Sequence, residues 1–295
     1  MPHQNPRLTV GIPVYNGERF LAQAVESLLG QTLVDFELLI ADNDSTDGTA
    51  AICAELARAD ARVRVLRHST NIGAPRNWNC LVHEARGQYF KWASANDWCA
   101  SSMLERCVEV LEADMRAVLC YCHTQLTDAE GHPQGVFGGD LDITMPRASD
   151  RFEAVCRGMT LNNAMCGVIR TSVLRKTGLD RLYPSGDMAL TSELALHGQL
   201  RLLPVALNFR RQSAGTFTSM LSDIEIQRMY DPAAVRPMRL ISGRRHLDNF
   251  ECILRAPIGA KEKLRAGATA AHLMVSDRDR LWQEFRSLFK MPTVA

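Results

Sequence analysis

The chain has 295 residues, with 34 Lys and Arg against 33 Asp and Glu, and the resulting formal charge of +1 excludes a nucleic-acid binder that works through bulk charge. Its length suits one large domain, or one domain with a helical appendage, around a buried core. No apolar run approaches the roughly 18–20 residues that a membrane-spanning helix needs, and the start, Met1-Pro2-His3-Gln4-Asn5-Pro6, lacks the layout of a secretion signal.

In chain order, Leu8 to Val14 predicts a strand ending at Tyr15-Asn16-Gly17, with Pro13 as its stop. Phe20, Leu21, Ala24, Val25, Leu28 and Leu29 then recur at helical spacing up to Gly30. A second strand, Phe36 to Ala41, runs into Asp42-Asn43-Asp44-Ser45-Thr46-Asp47-Gly48, where Ser45 or Thr46 is positioned to cap a helix over 50–59. A strand at Val63 to Leu66, a helix at 75–85 and a strand at Tyr89 to Trp92 complete a β-α alternation. Such alternation predicts an α/β fold with a mostly parallel, Rossmann-like sheet flanked by helices.

The second half is less regular. A helix over 103–113 leads to a strand at Ala117 to Tyr121 and a turn-rich stretch through Pro146; a helix over 188–197 and a strand at 200–204 follow, and the chain reads as helical after Ser219. Domains of 1–218 and 219–295 are expected. Nine cysteines with no C-x-x-C pair predict free thiols and a reducing, cytoplasmic setting rather than zinc or disulfides. Cys120 and Cys122 would then be small hydrophobes on one strand face.

The polar clusters Tyr15-Asn16, Asp42 to Asp47 and Ser94 to Asp97 all fall at carboxyl ends of predicted strands. In open α/β sheets that rim binds ligands. No Gly-rich, basic triphosphate loop follows the first strand, which disfavours a nucleotidyltransferase.

Taken together, VGIPVYNGERFL (10–21), DFELLIADNDSTDGT (35–49), Asn71-Ile72-Gly73 and Tyr89-Phe90-Lys91-Trp92 resemble the nucleotide-diphospho-sugar half of family 2 glycosyltransferases. The likeness extends over roughly residues 7–215. It implies a GT-A fold and inverting transfer of a sugar from a nucleotide donor, UDP or dTDP favoured, to an acceptor hydroxyl. The product would be a surface polysaccharide, a glycolipid or a glycosylated natural product.

The resemblance assigns Pro13, Tyr15, Asn16, Glu18, Asp42, Asp44, Asn71, Arg76, Asn96, Arg210 and Arg211 to the nucleotide. Tyr15 offers a face for the base and Asp42 an acceptor for a uracil or thymine imide. Asp44 and Asp47 serve equally well as helix caps. Where the family reads Asp-x-Asp-Asp, this chain has Ser94-Ala95-Asn96-Asp97, and its Arg210-Arg211-Gln212-Ser213 segment lacks the histidine often found there.

Three readings follow from that departure. Asp97 with Asn96 holds Mg²⁺ or Mn²⁺ more weakly; or Arg210 and Arg211 neutralise the diphosphate without metal; or the protein binds a nucleotide sugar or a partner and transfers nothing. Asp187, in Gly186-Asp187-Met188, matches the family's acceptor-side carboxylate and is the candidate general base, with an N-cap for the 188–197 helix as its structural alternative. Glu193 is expected to face elsewhere. In the tail, Trp282, Phe285 and Phe289, flanked by Arg278, Arg280, Arg286 and Lys290, form a stripe suited to packing on the catalytic domain or a second copy, or to peripheral contact with a membrane surface.

Overall fold

The computed structural model describes residues 5–212 and 221–289. Its first half is the expected alternation: β1 (Leu8–Val14), α1 (Leu21–Leu29), β2 (Phe36–Asp42), α2 (Thr49–Ala59), β3 (Val63–Arg67), α3 (Ala74–Glu84) and β4 (Tyr89–Trp92). These strands lie in the order β3-β2-β1-β4, all parallel. Successive β2 residues alternate between two cores, Leu38 and Ile40 on one face, Leu39 and Ala41 on the other. A strand covered by helices on both faces reads as a continuous apolar run for this reason.

Pro13 does not end β1, which continues to Val14. Pairing with β4 stops at Gly11, so Pro13 lies where β1 has β2 as its remaining neighbour and a missing N–H costs little. Nor do Ser45 and Thr46 cap α2. Its N-cap is Gly48, and the Asp47 carboxylate accepts the Thr49 N–H at 3.0 Å.

Past β4 the sheet becomes mixed. It adds β5 (Trp98–Cys99), β6 (Ala117–Thr127), β7 (Pro133–Val136), β8 (Val168–Arg170) and β9 (Gln199–Arg211), with β8 antiparallel to β4 and β6, β9 parallel to β6, and β5 antiparallel to β9. The helices of this half are α4 (Met103–Ala113), α5 (Ala148–Gly158), α6 (Thr171–Leu174) and α7 (Gly186–His197). Periodicity missed α5 because Arg151 occupies a core-facing position on it. That side chain is 7 % exposed and donates to the carbonyls of Ala195, Met145 and Pro146. Helix α7 is buried on nearly every side from Ala189 to Leu196, which is why it shows apolar residues all round.

The tail is helical, as expected: α8 (Asp223–Tyr230), α9 (Ile241–Arg255), α10 (Ala260–Ser276) and α11 (Arg278–Phe289). The expected domain boundary at 218/219, with Ser213, lies outside the described residues, as does Lys290. Cys252, Ile253, Ala256, Ala266 and Ala270 of the tail share a core with Phe152 and Leu196 of α5 and α7. Glu193, fully buried, faces this junction: it accepts from Arg255 at 2.7 Å and from the Gly178 N–H at 2.9 Å. Glu262 of α10 accepts from the Ser149 N–H at 3.0 Å, so a tail residue caps α5 from across the chain.

Candidate active site

A cleft of about 430 Å³ opens at the carboxyl ends of the strands, within the size range of small-molecule sites. It is lined by Asn96, Asp97, Arg210 and Arg211, and by Asp187 with Asn162 and Asp180. These come from five separated segments, joined by strand register and helix placement.

The Asn96-Asp97 side is set by the short strand β5. Trp98 pairs with Phe209 of β9, and their rings stack at 5.3 Å. That register puts Asp97 beside Arg210 and Arg211, and its Oδ1 accepts the Arg211 N–H at 3.0 Å. Burial pushes the Asp97 carboxyl above its ordinary range, against the Arg211 N–H and the Arg210 charge, which both favour the anion.

The two arginines have different work. The Arg211 guanidinium sits 4.3 Å from the Phe20 ring and 4.4 Å from the Trp98 ring, and donates to the Asn96 carbonyl and to Gln23. It braces the Asn96-Asp97 turn. Arg210 is held at 3.3 Å by Asn163 Oδ1, and Asn163 is in turn fixed by its bond to Asp140. Arg210 is therefore the cation more free to meet an anionic ligand.

Asp187 lies in the first turn of α7, not at its cap; the N-cap is Ser185, in a left-handed conformation at φ 68°, and it makes no side-chain cap bond. The Asp187 Oδ2 accepts from Asn162 Nδ2 at 3.0 Å, and the Thr191 hydroxyl is 3.1 Å from the Asn162 Oδ1. Asn162 thereby fixes the carboxylate, a partner for which nothing in the sequence pattern gives a signal. Asp180, Trp78 and Tyr230, which line the same cleft, were also missed.

The first-half candidates lie on the neighbouring rim rather than in this cleft. Tyr15 is half exposed and presents its ring to solvent. Asn16, at φ 52°, donates its N–H to Ser45 Oγ and accepts the Thr46 N–H, while Glu18 accepts the Gly48 N–H at 2.6 Å. Asn71 accepts from Asn43 and from the Gly73 N–H, both at 2.9 Å. These three side chains tie loop to loop. Asp44 is in the left-handed region at φ 62° and does not start a helix.

Two further candidates are placed differently. Asp42 is fully buried, with Arg67 3.5 Å from its Oδ2, so it is not an open acceptor; that oxygen nevertheless has no hydrogen-bond partner. Arg76 lines a different cavity, with Arg181 and Tyr183.

Among the described residues no group of three or more His, Cys, Asp or Glu is arranged to hold a metal. In the Ser94–Asp97 segment Asp97 is the carboxylate, with Asn96 as a neutral oxygen donor beside it. This set fits a Mg²⁺ or Mn²⁺ ion that arrives already carrying phosphate oxygens, since such ions often take only one or two protein carboxylates.

The family model for glycosyl transferase family 2 matches residues 9–178. An uncharacterized glycosyltransferase of Bacillus subtilis, EpsJ, is 28% identical over 149 residues, which are 50% of this chain and 43% of that protein. Chondroitin synthase of Escherichia coli is 31% identical over 127 residues, 43% of this chain and 18% of that protein. The matches thus span less than half the length of these curated relatives. Among solved structures, Staphylococcus aureus TarS 1–349 in complex with UDP-GlcNAc superposes with a TM-score of 0.65 at 19% identity, covering 92% of this chain and 73% of that one. The mannosyltransferase PcManGT of Pyrobaculum calidifontis, in complex with GDP-Man and Mn²⁺, gives 0.56 at 15% identity, covering 94% and 76%. These likenesses show the GT-A-like fold. With a family model that spans more than half of the chain, on the sheet whose rim carries the cleft, the protein belongs to glycosyltransferase family 2.

Proposed function

We propose that this protein transfers a sugar, with inversion, from a nucleoside diphosphate donor to an acceptor hydroxyl. One observation carries the reading: a single cleft is lined by Asp187, Asp97 and Arg210. Inversion needs a base on the face opposite the leaving diphosphate, and Asp187, oriented by Asn162, takes the acceptor proton there. Arg210 neutralises charge building on the leaving diphosphate. Asp97 with Asn96 would hold the divalent ion; when bound it supplies further neutralisation of the same charge.

The base stacks on Tyr15. UDP or dTDP is the favoured donor, with the Asp42 Oδ2, which has Arg67 at 3.5 Å but makes no hydrogen bond, accepting an imide N–H once Arg67 swings aside. The nucleotide sugars named with the structural neighbours, UDP-GlcNAc and GDP-Man, support a nucleoside diphosphate-sugar donor without choosing the base. The product is a polysaccharide, a glycolipid or a glycosylated natural product. No helix among the described residues is long and apolar enough to cross a membrane. Trp282 of α11 is 60% exposed and stacks on Phe285. With Arg278, Arg280 and Arg286 on the same helix, this supports peripheral contact with an anionic membrane. Flotation with phosphatidylglycerol vesicles, lost in Trp282→Ser, tests it; dimerisation lost by the same change would point to a second copy instead.

The test of activity is a panel of UDP-, dTDP-, GDP- and ADP-sugars, assayed for binding and hydrolysis with and without Mn²⁺. Preferential turnover of a UDP- or dTDP-sugar is expected. Tight binding with no turnover under any condition would leave a nucleotide-sugar-binding protein without catalysis.

A further inference from the structure

The cleft does not end at Asp187. Tyr230, the last residue of α8, lines it together with Trp78 and Asp180. All but Trp78 lie outside the residues matched by the family model. Tyr230 comes from the helical tail, which the sequence alone had set apart from the catalytic region.

Its placement is fixed by the fold. Gly73, at φ 86°, lets the end of α8 approach so closely that a Cβ there would lie 2.4 Å from the Tyr230 carbonyl oxygen. Asp180 is pinned from the other side, since its N–H donates to Asn79 Oδ1 at 3.1 Å and its carbonyl accepts from Asn79 Nδ2 at 2.9 Å.

We infer that Tyr230, with Trp78 and Asp180, forms the acceptor subsite, and that the acceptor group it takes is a sugar ring. A pyranose has a C–H face that packs on aromatic rings and hydroxyls that donate to carboxylates, and this part of the cleft offers both. Burial pushes the Asp180 carboxyl up to about 7, with the Asp187 charge adding to the shift. Burial likewise pushes the Tyr230 phenol up to about 12, and the charges of Asp180 and Asp187 contribute. Asp180 and Tyr230 therefore share one local field with the base Asp187. The inference rests on Asp187 marking the acceptor side.

The test uses the full chain saturated with UDP, applied to an array of immobilised glucosyl, galactosyl, mannosyl and N-acetylhexosaminyl oligosaccharides. UDP affinity and melting temperature are measured in parallel. Binding to a subset of glycans is expected, reduced at least tenfold by Tyr230→Ala and by Asp180→Asn and retained in Tyr230→Phe, with UDP affinity within twofold of the parent throughout. Gly73→Ala should act like Tyr230→Ala, because it displaces the end of α8. Glycan binding unchanged in Tyr230→Ala would overturn the subsite. UDP binding with no glycan bound would overturn the acceptor class and leave the donor reading standing. Failure to bind UDP would bring down the functional reading, and the subsite with it.

Discussion

The parallel and the mixed halves of the sheet build their sides of the site in different ways. In the parallel half, candidate residues follow directly on strand ends, and neighbouring loops brace one another: Asn16 to Ser45 and Thr46, Glu18 to Gly48, Asn43 to Asn71. Around the mixed half, Asn162, Asp180, Asp187, Arg210 and the tail's Tyr230 come from five segments, and none is next to another in sequence. The first arrangement makes a stiff platform suited to a constant group such as a nucleotide. The second can change its lining by altering one distant segment, which suits the variable partner of a transfer reaction.

If this division is right, variants in the two halves should separate acceptor chemistry from donor binding. The largest effect is expected for Asp187→Asn: transfer should fall about a hundred- to ten-thousand-fold, while UDP affinity and melting temperature stay near the parent values. Asparagine keeps the size and the contact with Asn162 but not the basicity. Near-normal transfer would erase the distinction between the halves at its central residue.

At the seam, Arg210→Ala removes a charged hydrogen-bonding group, worth about 1.5–3 kcal/mol. UDP affinity should drop about ten- to a hundredfold, whereas uridine binding should hardly change. Equal loss for both would make Arg210 a structural brace like Arg211. Calorimetry on the same protein sharpens the point: Mn²⁺ should bind measurably only when UDP is present, and Asn96→Asp should tighten it by adding an anionic oxygen. Binding of Mn²⁺ to the UDP-free parent would contradict a site completed by phosphate.

Within the parallel half, Tyr15→Ala should weaken UDP, GDP and ADP alike, by about tenfold, because stacking does not read the base edge. A loss confined to UDP would place base recognition on Tyr15 rather than on Asp42. The smallest effect concerns the tail's grip on the mixed half. The Ser149 N–H, followed by Arg265 and the Ser149 hydroxyl, holds the Glu262 carboxyl down from 4.5 to about 2 against its desolvation. A depressed carboxyl stabilises the fold above its ordinary value and loses that contribution as pH falls through the window from 4.5 towards 2. Glu262→Gln should therefore cost about 1 kcal/mol, the worth of a helix cap, at pH 7, and the difference in melting temperature should vanish near pH 2. A difference that persists in acid would assign Glu262 to packing alone.

Period and punctuation alone determined the parallel half, its helices and the rim at the strand ends, because each of those features is set by residues a few positions apart. Asp187 was also within reach, through the likeness of Gly186-Asp187-Met188 to the family's acceptor-side carboxylate segment. Tertiary structure decided the rest. It buried Asp42 under Arg67, turned Arg76 to another cavity and committed Arg211 to a stack between Phe20 and Trp98. It hid α5 behind an inward arginine and brought Tyr230 from the tail to the cleft. Each of these depends on what packs against a side chain from more than a hundred residues away or from another element, and local spacing carries no record of that neighbour.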